Sequence, residues 1–282
     1  SLKLLSKIYH LIKYYSDTLD EKRMTINIRT TLLALGLLAT MACDTVNQIL
    51  SDVNTGGGSL TTGEITAGLK EALKEGARFA GNNASKQDGY LNNPIVDIRI
   101  LMPPELRKVE RNIRKIPLVG NKVVDDFVEA MNRGAEQAAK EAAPIFVKAI
   151  TSMTISDAAN ILRGDSTAAT SYLRRTTTTN LEQAFRPVIK NALNQVKATK
   201  YYDGLKDAIS TYNRTPLASD INVNVRELPE LEDYATEKAL EGLFTLVSIE
   251  EKKIRRDPYS YGQSIIRRVF GSQKSGIGTN GL

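Results

Sequence analysis

The two side chains most often used in catalysis and metal binding each occur once among the 282 residues, as His10 and Cys43. A structural zinc site needs about four cysteine or histidine ligands, so the sequence predicts no metal site and no cofactor. A Ser-His-Asp or Cys-His nucleophile needs a histidine in the folded domain, and His10 precedes the part of the chain expected to fold. Any catalysis would depend on Asp, Glu, Lys, Arg, Tyr, Ser or Thr, and no catalytic residue is assigned.

Asn132 and Glu136 are four positions apart in an alanine-rich stretch, which places them on one face of a helix. Small neighbours let other helices approach closely, and a carboxylate buried there must be paired. Arg163, Arg174 and Arg255 are the arginines that could pair with it. Two interpretations stay open: a polar pocket in which Glu136 accepts a hydrogen bond from a ligand or acts as a base, and a structural network that fixes helix register.

A second polar group closes the last long helix, where Glu250 and Arg255 lie five positions apart and slightly off one face. Arg255 near a helix C-terminus suits the dipole, and it could instead hold an anionic ligand bidentately. The sequence thus offers one speculative ligand-binding set: Asn132, Glu136, Arg174, Glu250 and Arg255. A carboxylate-based hydrolase or lyase ranks last, because it needs two carboxylates about 5–9.5 Å apart across a cleft.

Other polar residues have simpler interpretations. Asp157, at the third helical position after Thr154, is expected to favour a helix start. Tyr172 is expected in the core with its hydroxyl bonded. Basic residues at 107–115 and near the end of the chain could form one surface for anionic lipid or simply face solvent; the second group is Lys252, Lys253, Arg255, Arg256, Arg267 and Arg268.

Residues 24–42 have the order of a secretory signal, with Arg29 followed by an apolar stretch at 32–42 and then Cys43. The stretch is shorter than the roughly 20 residues that span a bilayer. The pattern resembles a bacterial lipoprotein signal, in which the cysteine is lipidated, although Thr40 stands where leucine is usual. The alternatives are an ordinary signal peptide or a buried helix with an incidental cysteine. Residues 1–23, basic and amphipathic at their start, are interpreted as an upstream extension before a true start at Met24.

The remaining chain reads as helices joined by turns. Thr61 and Glu64 predict a capping box, and Asp88-Gly89 predicts a turn. Further helices are predicted at 106–116, at 123–153 with a bend near Pro144, and at 154–164, 167–175, 180–199, 201–212, 231–256 and 260–270.

Two short alternating runs, 96–100 and 221–225, have the period of a strand and could pair. We therefore predict an all-α fold, an irregular helical bundle with at most a minor two-stranded β ribbon. The predicted organisation is an extension at 1–23, a signal peptide at 24–42, a flexible tether at 43–59, one helical domain at 60–270 and a disordered tail at 271–282.

Many short motifs occur in an order that resembles a known bacterial family, that of domain of unknown function 4197. They lie at residues 64–73, 88–90, 131–136, 143–146, 153–157, 161–164 and 169–172, followed by Leu243-Phe244 and by Glu250, Ile254, Arg255 and Pro258. The likeness covers roughly residues 60–270. Gly134 departs from the family pattern, in which alanine is typical, and glycine within a helix costs about 1 kcal/mol against alanine. The resemblance implies a mostly helical, signal-bearing envelope protein and implies no activity.

These features predict an exported envelope lipoprotein that faces the periplasm and acts as a binding or scaffolding module. Its expected partners are the membrane, through lipidated Cys43, and an envelope protein or small molecule. The alternative is a helical small-molecule or lipid-binding protein with a polar pocket near Glu136. Without residues 1–42, which carry six basic and three acidic residues, the formal net charge falls from +6 to about +3. With so small a charge and no binding motif, nucleic acid is not expected as a partner.

Overall fold

The computed structural model describes residues 60–114, 120–214 and 224–277. In chain order its α-helices are α1 (Thr62–Ala84), α2 (Arg107–Arg114), α3 (Gly120–Ala138), α4 (Ala142–Thr151), α5 (Ile155–Arg163), α6 (Ala168–Gln195), α7 (Ala198–Tyr212), α8 (Leu231–Arg256) and α9 (Ser264–Ile277). Single 3-10 turns occur at Pro104–Leu106, Ala139–Glu141, Val225–Glu227 and Pro258–Ser260. No strand occurs in these residues, and the prediction of an all-α fold is confirmed.

Capping boxes begin α1 and α5. The sequence predicts the box at α1, and at α5 it predicts a helix start with Asp157 in the first turn. Thr61 accepts a hydrogen bond from the Glu64 amide, and the Glu64 carboxylate accepts one from the Thr61 amide. Thr154 and Asp157 repeat the arrangement at α5. The Thr154 hydroxyl, which donates to Asp157, holds the pKa of that carboxyl below its usual value. Both capping partners lie within three residues of each other, so the sequence alone can indicate where these helices begin.

The long alanine-rich segment is bent where the sequence predicts a bend. A 3-10 turn at Ala139–Glu141 separates α3 from α4 just before Pro144. Proline lacks the amide hydrogen that would continue an α-helical ladder. The break lets α3 pack along α6 while α4 packs on both α1 and α6.

The break predicted between residues 175 and 180 is wrong, because α6 runs without interruption from Ala168 to Gln195. Its threonines bond back to the preceding turn: the hydroxyl of Thr177 donates to the Leu173 carbonyl at 2.6 Å, and that of Thr178 donates to the Arg174 carbonyl at 2.6 Å. Such bonds satisfy the hydroxyls inside the helix. Packing against α3 and α8 then outweighs the weak helix propensity of threonine.

The core forms around α8, which packs on both α1 and α6, with α3 also on α6 and α9 on α1. Phe146 of α4 and Phe244 of α8 contact edge to face, with ring centroids 5.9 Å apart. Gly134 lies where α3 crosses α6, and a Cβ there would stand 3.2 Å from the Ile189 backbone. Glycine at this position therefore permits close approach of the two helices.

The segment at 85–103, between α1 and α2, contains no strand. Residues 85–96 form turns and bends, in which Asp88 has φ 62° and a Cβ on Gly89 would strike the Ala84 carbonyl oxygen, and residues 97–103 have no regular secondary structure. Ile100 is buried while Asp97 and Arg99 are exposed, which explains the alternating sequence. The predicted ribbon is not found in the described residues: residues 221–223 lie outside them, and Val225 begins a 3-10 turn.

The N-terminal predictions lie outside the described residues. These are the extension at 1–23, the signal peptide at 24–42, and the tether at 43–59 with Cys43. At the C-terminal end, α9 continues to Ile277, so the helix extends past residue 271, where the tail is predicted to begin. Among the described helices none is long and apolar enough by itself to cross a membrane; Val124–Thr151 and Ile155–Arg163 meet that test only together, with a 105° bend between them.

Candidate functional site

Asn132 of α3 is fully buried and binds the backbone of the 85–103 segment. Its Oδ1 accepts a hydrogen bond from the Ile100 amide at 2.9 Å, and its Nδ2 donates to the Ile100 carbonyl at 2.8 Å. Nδ2 also donates to the Val128 carbonyl one turn back at 2.7 Å. The amide thus satisfies both backbone groups of Ile100 and attaches the segment to α3.

Glu136, one turn further along α3, is 5% exposed and holds the start of the same segment. Its Oε1 accepts from the amides of Tyr90 (3.2 Å) and Leu91 (3.4 Å). Its Oε2 accepts a hydrogen bond from one terminal guanidinium nitrogen of Arg133 at 2.9 Å. The other terminal nitrogen of Arg133 lies 3.1 Å from Asp88 Oδ1. Both carboxylate oxygens are therefore bonded to groups of the protein, which gives the buried charge its partners.

Tyr90 completes this cluster from the side of α8. Its ring is fully buried, and its hydroxyl donates to the Ala239 carbonyl at 2.7 Å. Burial, with a smaller contribution from the Glu136 charge, raises the pKa of Tyr90 well above its usual value. Residues 88–102 are thereby fixed between α3 and α8, and the described contacts of Asn132 and Glu136 are structural.

Glu251, which the sequence analysis did not single out, caps a helix that lies far away in sequence. Its carboxylate accepts from the amides of Ala169 (3.0 Å) and Thr170 (2.8 Å) and from the Thr170 hydroxyl (2.7 Å). The preceding residue Thr167 makes no side-chain cap of its own. A carboxylate from α8 therefore serves the N-terminus of α6, where the helix dipole favours negative charge.

Arg255 lies one turn from Glu251 and pairs with it. Its Nε donates to Glu251 Oε1 at 3.0 Å, and a terminal nitrogen donates to the Ile161 carbonyl near the end of α5 at 2.9 Å. The guanidinium also lies 5.7 Å from the Phe270 ring centroid. Arg255 thus joins α8 to α5, α6 and α9 through contacts within the protein.

Glu250 faces a different part of the fold from its neighbour Glu251. Its Oε1 accepts from the Tyr261 hydroxyl at 2.6 Å, while the buried Oε2 accepts no hydrogen bond from the described residues. Lys253 Nζ lies 4.0 Å from Oε2, within ion-pair range but too far for a hydrogen bond. Burial first, and then the bond to Glu250, raises the pKa of Tyr261 above its usual value.

Arg174 belongs to neither group, because its guanidinium lies over the Phe244 ring, 4.5 Å from the centroid. The five speculative ligand-binding residues are therefore divided among an α3 cluster, the end of α8 and the middle of α6. They do not surround one pocket, and the assignment of a ligand to them stays a prediction. Of the other sequence interpretations, Tyr172 is confirmed as a core residue, since its hydroxyl donates to the Ala149 carbonyl at 3.1 Å.

The space beside Glu251 and Arg255 is small. Leu69, Leu73 and Val247 line it with those two residues, and its volume of about 20 Å³ is room for a single water. No group of three or more His, Cys, Asp or Glu in the described residues could hold a metal ion. This end of the fold is thus a packed junction of helices.

Two larger grooves open at the surface. The first, of about 340 Å³, lies between α2, the 85–103 segment and α8, and we call it the α2 cleft. Its lining includes Arg99, Arg107, Arg114, Tyr234 and Lys238. The second, of about 350 Å³, lies between α1 and the α3–α4 junction; we call it the α1–α4 groove, with Ala77, Gly81 and Ala139 among the residues that line it and Lys74, Arg78 and Lys140 at its rim.

The basic residues of α2 and those at the end of α8 do not form one surface. Lys238 of α8 lines the α2 cleft with Arg107, whereas Lys252 lies about 21 Å further along the α8 axis. Within the described residues, Arg107, Lys108 and Arg111 form no ion pair, while Arg114 pairs with Glu110 and Asp125. The two groups are therefore separate basic regions and do not form the single surface that the lipid interpretation of the sequence required.

The fold and these sites define the chain as an all-α protein with polar clusters at its helix junctions and basic grooves at its surface. The chain belongs to the family described as protein of unknown function (DUF4197), whose profile matches residues 59–271. The resemblance stated from the motifs is thereby confirmed. Comparison with curated proteins and with solved structures gives no match.

Proposed function

We propose that this protein is a lipid-anchored binding module of the bacterial cell envelope. Residues 24–42 direct export, Cys43 carries the lipid, and residues 43–59 tether the helical domain on the periplasmic side. The proposal is supported by the order of Arg29, the apolar stretch and Cys43 in the sequence. A lone cysteine at that position is used for location and not for a disulfide.

Binding at the surface is favoured by where the polar groups lie. The carboxylates of Glu136 and Glu251 are both occupied by backbone amides and arginines of the same chain. The space open to a ligand is instead at the surface, in the α2 cleft and the α1–α4 groove, each within the volume range of small-molecule sites. This contrast is the observation that carries the proposed binding function.

The pocket expected near Glu136 has its best counterpart in the α1–α4 groove. Ala139 and Lys140 line this groove and follow Glu136 by one helical turn on α3 and the adjoining 3-10 turn. The ligand of a small-molecule or lipid-binding protein would then lie beside the Glu136 cluster, which holds the neighbouring backbone in place.

Cys43→Ser tests the anchoring. We expect the wild-type chain, expressed in a bacterium, to incorporate labelled palmitate and to sediment with membranes, since acylation supplies the membrane affinity. Cys43→Ser should lose the label and move to the soluble fraction, whereas the neighbouring control Thr45→Ser should change neither. Unchanged sedimentation and no palmitate on the wild-type chain would contradict anchoring through Cys43.

A further inference from the structure

The α1–α4 groove has an apolar floor made of small side chains. Ala77 and Gly81 of α1 are buried at its base with Ala139, and Ala143 and Val147 of α4 form the exposed wall. A Cβ on Gly81 would meet no atom within 4 Å. Val147 is 49% exposed, so apolar surface stays open to solvent along the groove. An apolar ligand bound on this floor would bury its surface away from water, which is favourable.

The rim of the same groove is cationic. Lys74, Arg78 and Lys140 line it, and no carboxylate is among its lining residues in the described part of the chain. Lys74 and Arg78 pair with Glu71 and Glu75 of their own helix, outside the groove. Lys140 is exposed and makes no ion pair with a described residue. The rim therefore complements a ligand that carries a negative charge at one end.

The groove follows the α1 wall from Lys74 to Asn82, about 12 Å along the helix axis. An acyl chain can lie along this wall over the apolar floor, with its charged end at the cationic rim.

We propose that the α1–α4 groove binds a single acyl chain with an anionic head group, of the fatty-acid type. The chain lies over Ala77, Gly81 and Val147, and the carboxylate faces Lys140 and Arg78. This inference rests on the proposed binding function and names its ligand class. It is independent of Cys43, so it and the anchoring proposal fail separately.

Chain length gives the first test. Full-length protein carrying Cys43→Ser, so that no attached lipid competes, is titrated calorimetrically with octanoate, decanoate and dodecanoate below their micelle concentrations. Affinity should rise about two- to fourfold per added methylene. Dodecanol, which has the same chain without the charge, should bind at least tenfold more weakly than dodecanoate. Equal affinity for all four compounds, or no binding of dodecanoate, would overturn the proposal.

Gly81→Leu tests the location, because it adds a side chain to the floor at a position where a Cβ would meet no atom within 4 Å. It should weaken dodecanoate binding at least tenfold. Gly204→Leu is the matched control, since a Cβ on Gly204 of α7 also meets no atom within 4 Å and Gly204 does not line the groove. Urea unfolding of both variants establishes that they are folded. Equal binding by Gly81→Leu and Gly204→Leu would place the ligand elsewhere and sink the inference.

Lys140→Gln tests the charge and provides a variant that leaves the floor intact. It should reduce the preference for dodecanoate over dodecanol at least threefold, while Lys148→Gln, an exposed lysine of α4 that does not line the groove, should not change it. An unchanged preference in Lys140→Gln would contradict the assigned orientation. Binding of an acidic amphipathic peptide without any binding of dodecanoate would replace the acyl chain with a protein partner and overturn the proposal.

Discussion

At the scale of single residues, the buried polar side chains act by satisfying backbone groups that would otherwise lack partners. Asn132 bonds both backbone groups of Ile100, and Glu136 bonds the amides of Tyr90 and Leu91. Backbone groups outside helices and sheets have no partner within a regular element, and an unpaired group that is buried costs free energy. The side chains of Asn132 and Glu136 supply the missing partners.

Asn132→Ala removes the partner of the Ile100 amide and carbonyl together. We expect the free energy of unfolding to fall by about 2–4 kcal/mol, because buried groups left unbonded carry the full cost of desolvation. Asn191→Ala, at an exposed position of α6, is the control and should change it by less than about 0.5 kcal/mol. Urea unfolding measures both, and equal effects would contradict the role assigned to Asn132.

Tyr90 predicts a dependence of stability on alkaline pH. Its pKa is raised in the folded state by burial and by Glu136, so folding favours the neutral phenol. Its contribution is complete below the unfolded value of about 10 and is lost as pH rises above it. Urea unfolding between pH 8 and 11 should show a shallower loss for Tyr90→Phe than for Tyr259→Phe, an exposed control. Parallel curves would contradict this.

The pairing of Asn132 and Glu136 on one face could be predicted from their spacing of four. Their partners could not, because the amides of Tyr90, Leu91 and Ile100 carry no side-chain signal in the sequence. The same limit applies to Glu250 and Arg255, whose contacts with Tyr261 and Ile161 come from elements brought together only by folding. The residue types thus indicated polar clusters, but their partners are mostly backbone groups that only the folded structure brings close.

At the scale of elements, the helices α1, α5 and α6 start in two different ways. Those of α1 and α5 are capping boxes within three residues; the box was predicted at α1, and a helix start with Asp157 in its first turn was predicted at α5. The start of α6 depends on Glu251, which is 82 positions from Ala169, and no local pattern indicates it. The continuity of α6 through its threonines was missed for a similar reason, since tertiary packing decides against local propensity.

Glu251→Ala leaves the first amides of α6 without an acceptor and Arg255 without its carboxylate. We expect a loss of about 2–4 kcal/mol in the free energy of unfolding, as for a charge-assisted network broken in the interior. Glu182→Ala, which removes an exposed carboxylate from α6 itself, should cost less than about 0.5 kcal/mol. Similar losses in the two variants, measured by urea unfolding, would mean that Glu251 does not cap α6.

At the scale of the whole molecule, the buried polar side chains join helices to one another, and the space open to a ligand is at the surface. The Glu136 cluster fixes residues 88–102 between α3 and α8, and the Glu251–Arg255 cluster fixes α5, α6 and α9 on α8. Beside this frame lie two basic grooves that face solvent. The proposed tether would place these grooves near a membrane surface, where an anionic amphiphile is available for capture.

The most direct test of acyl-chain binding in the α1–α4 groove is a crystal structure of the full-length chain grown with dodecanoate. Density for the acyl chain is expected along Ala77 and Gly81, with its carboxylate within hydrogen-bonding distance of Lys140 or Arg78. The hydrogen bonds of Glu136 and Glu251 should be unchanged from those described. Dodecanoate bound instead at Glu136 or Glu250, with the α1–α4 groove open to solvent, would contradict it.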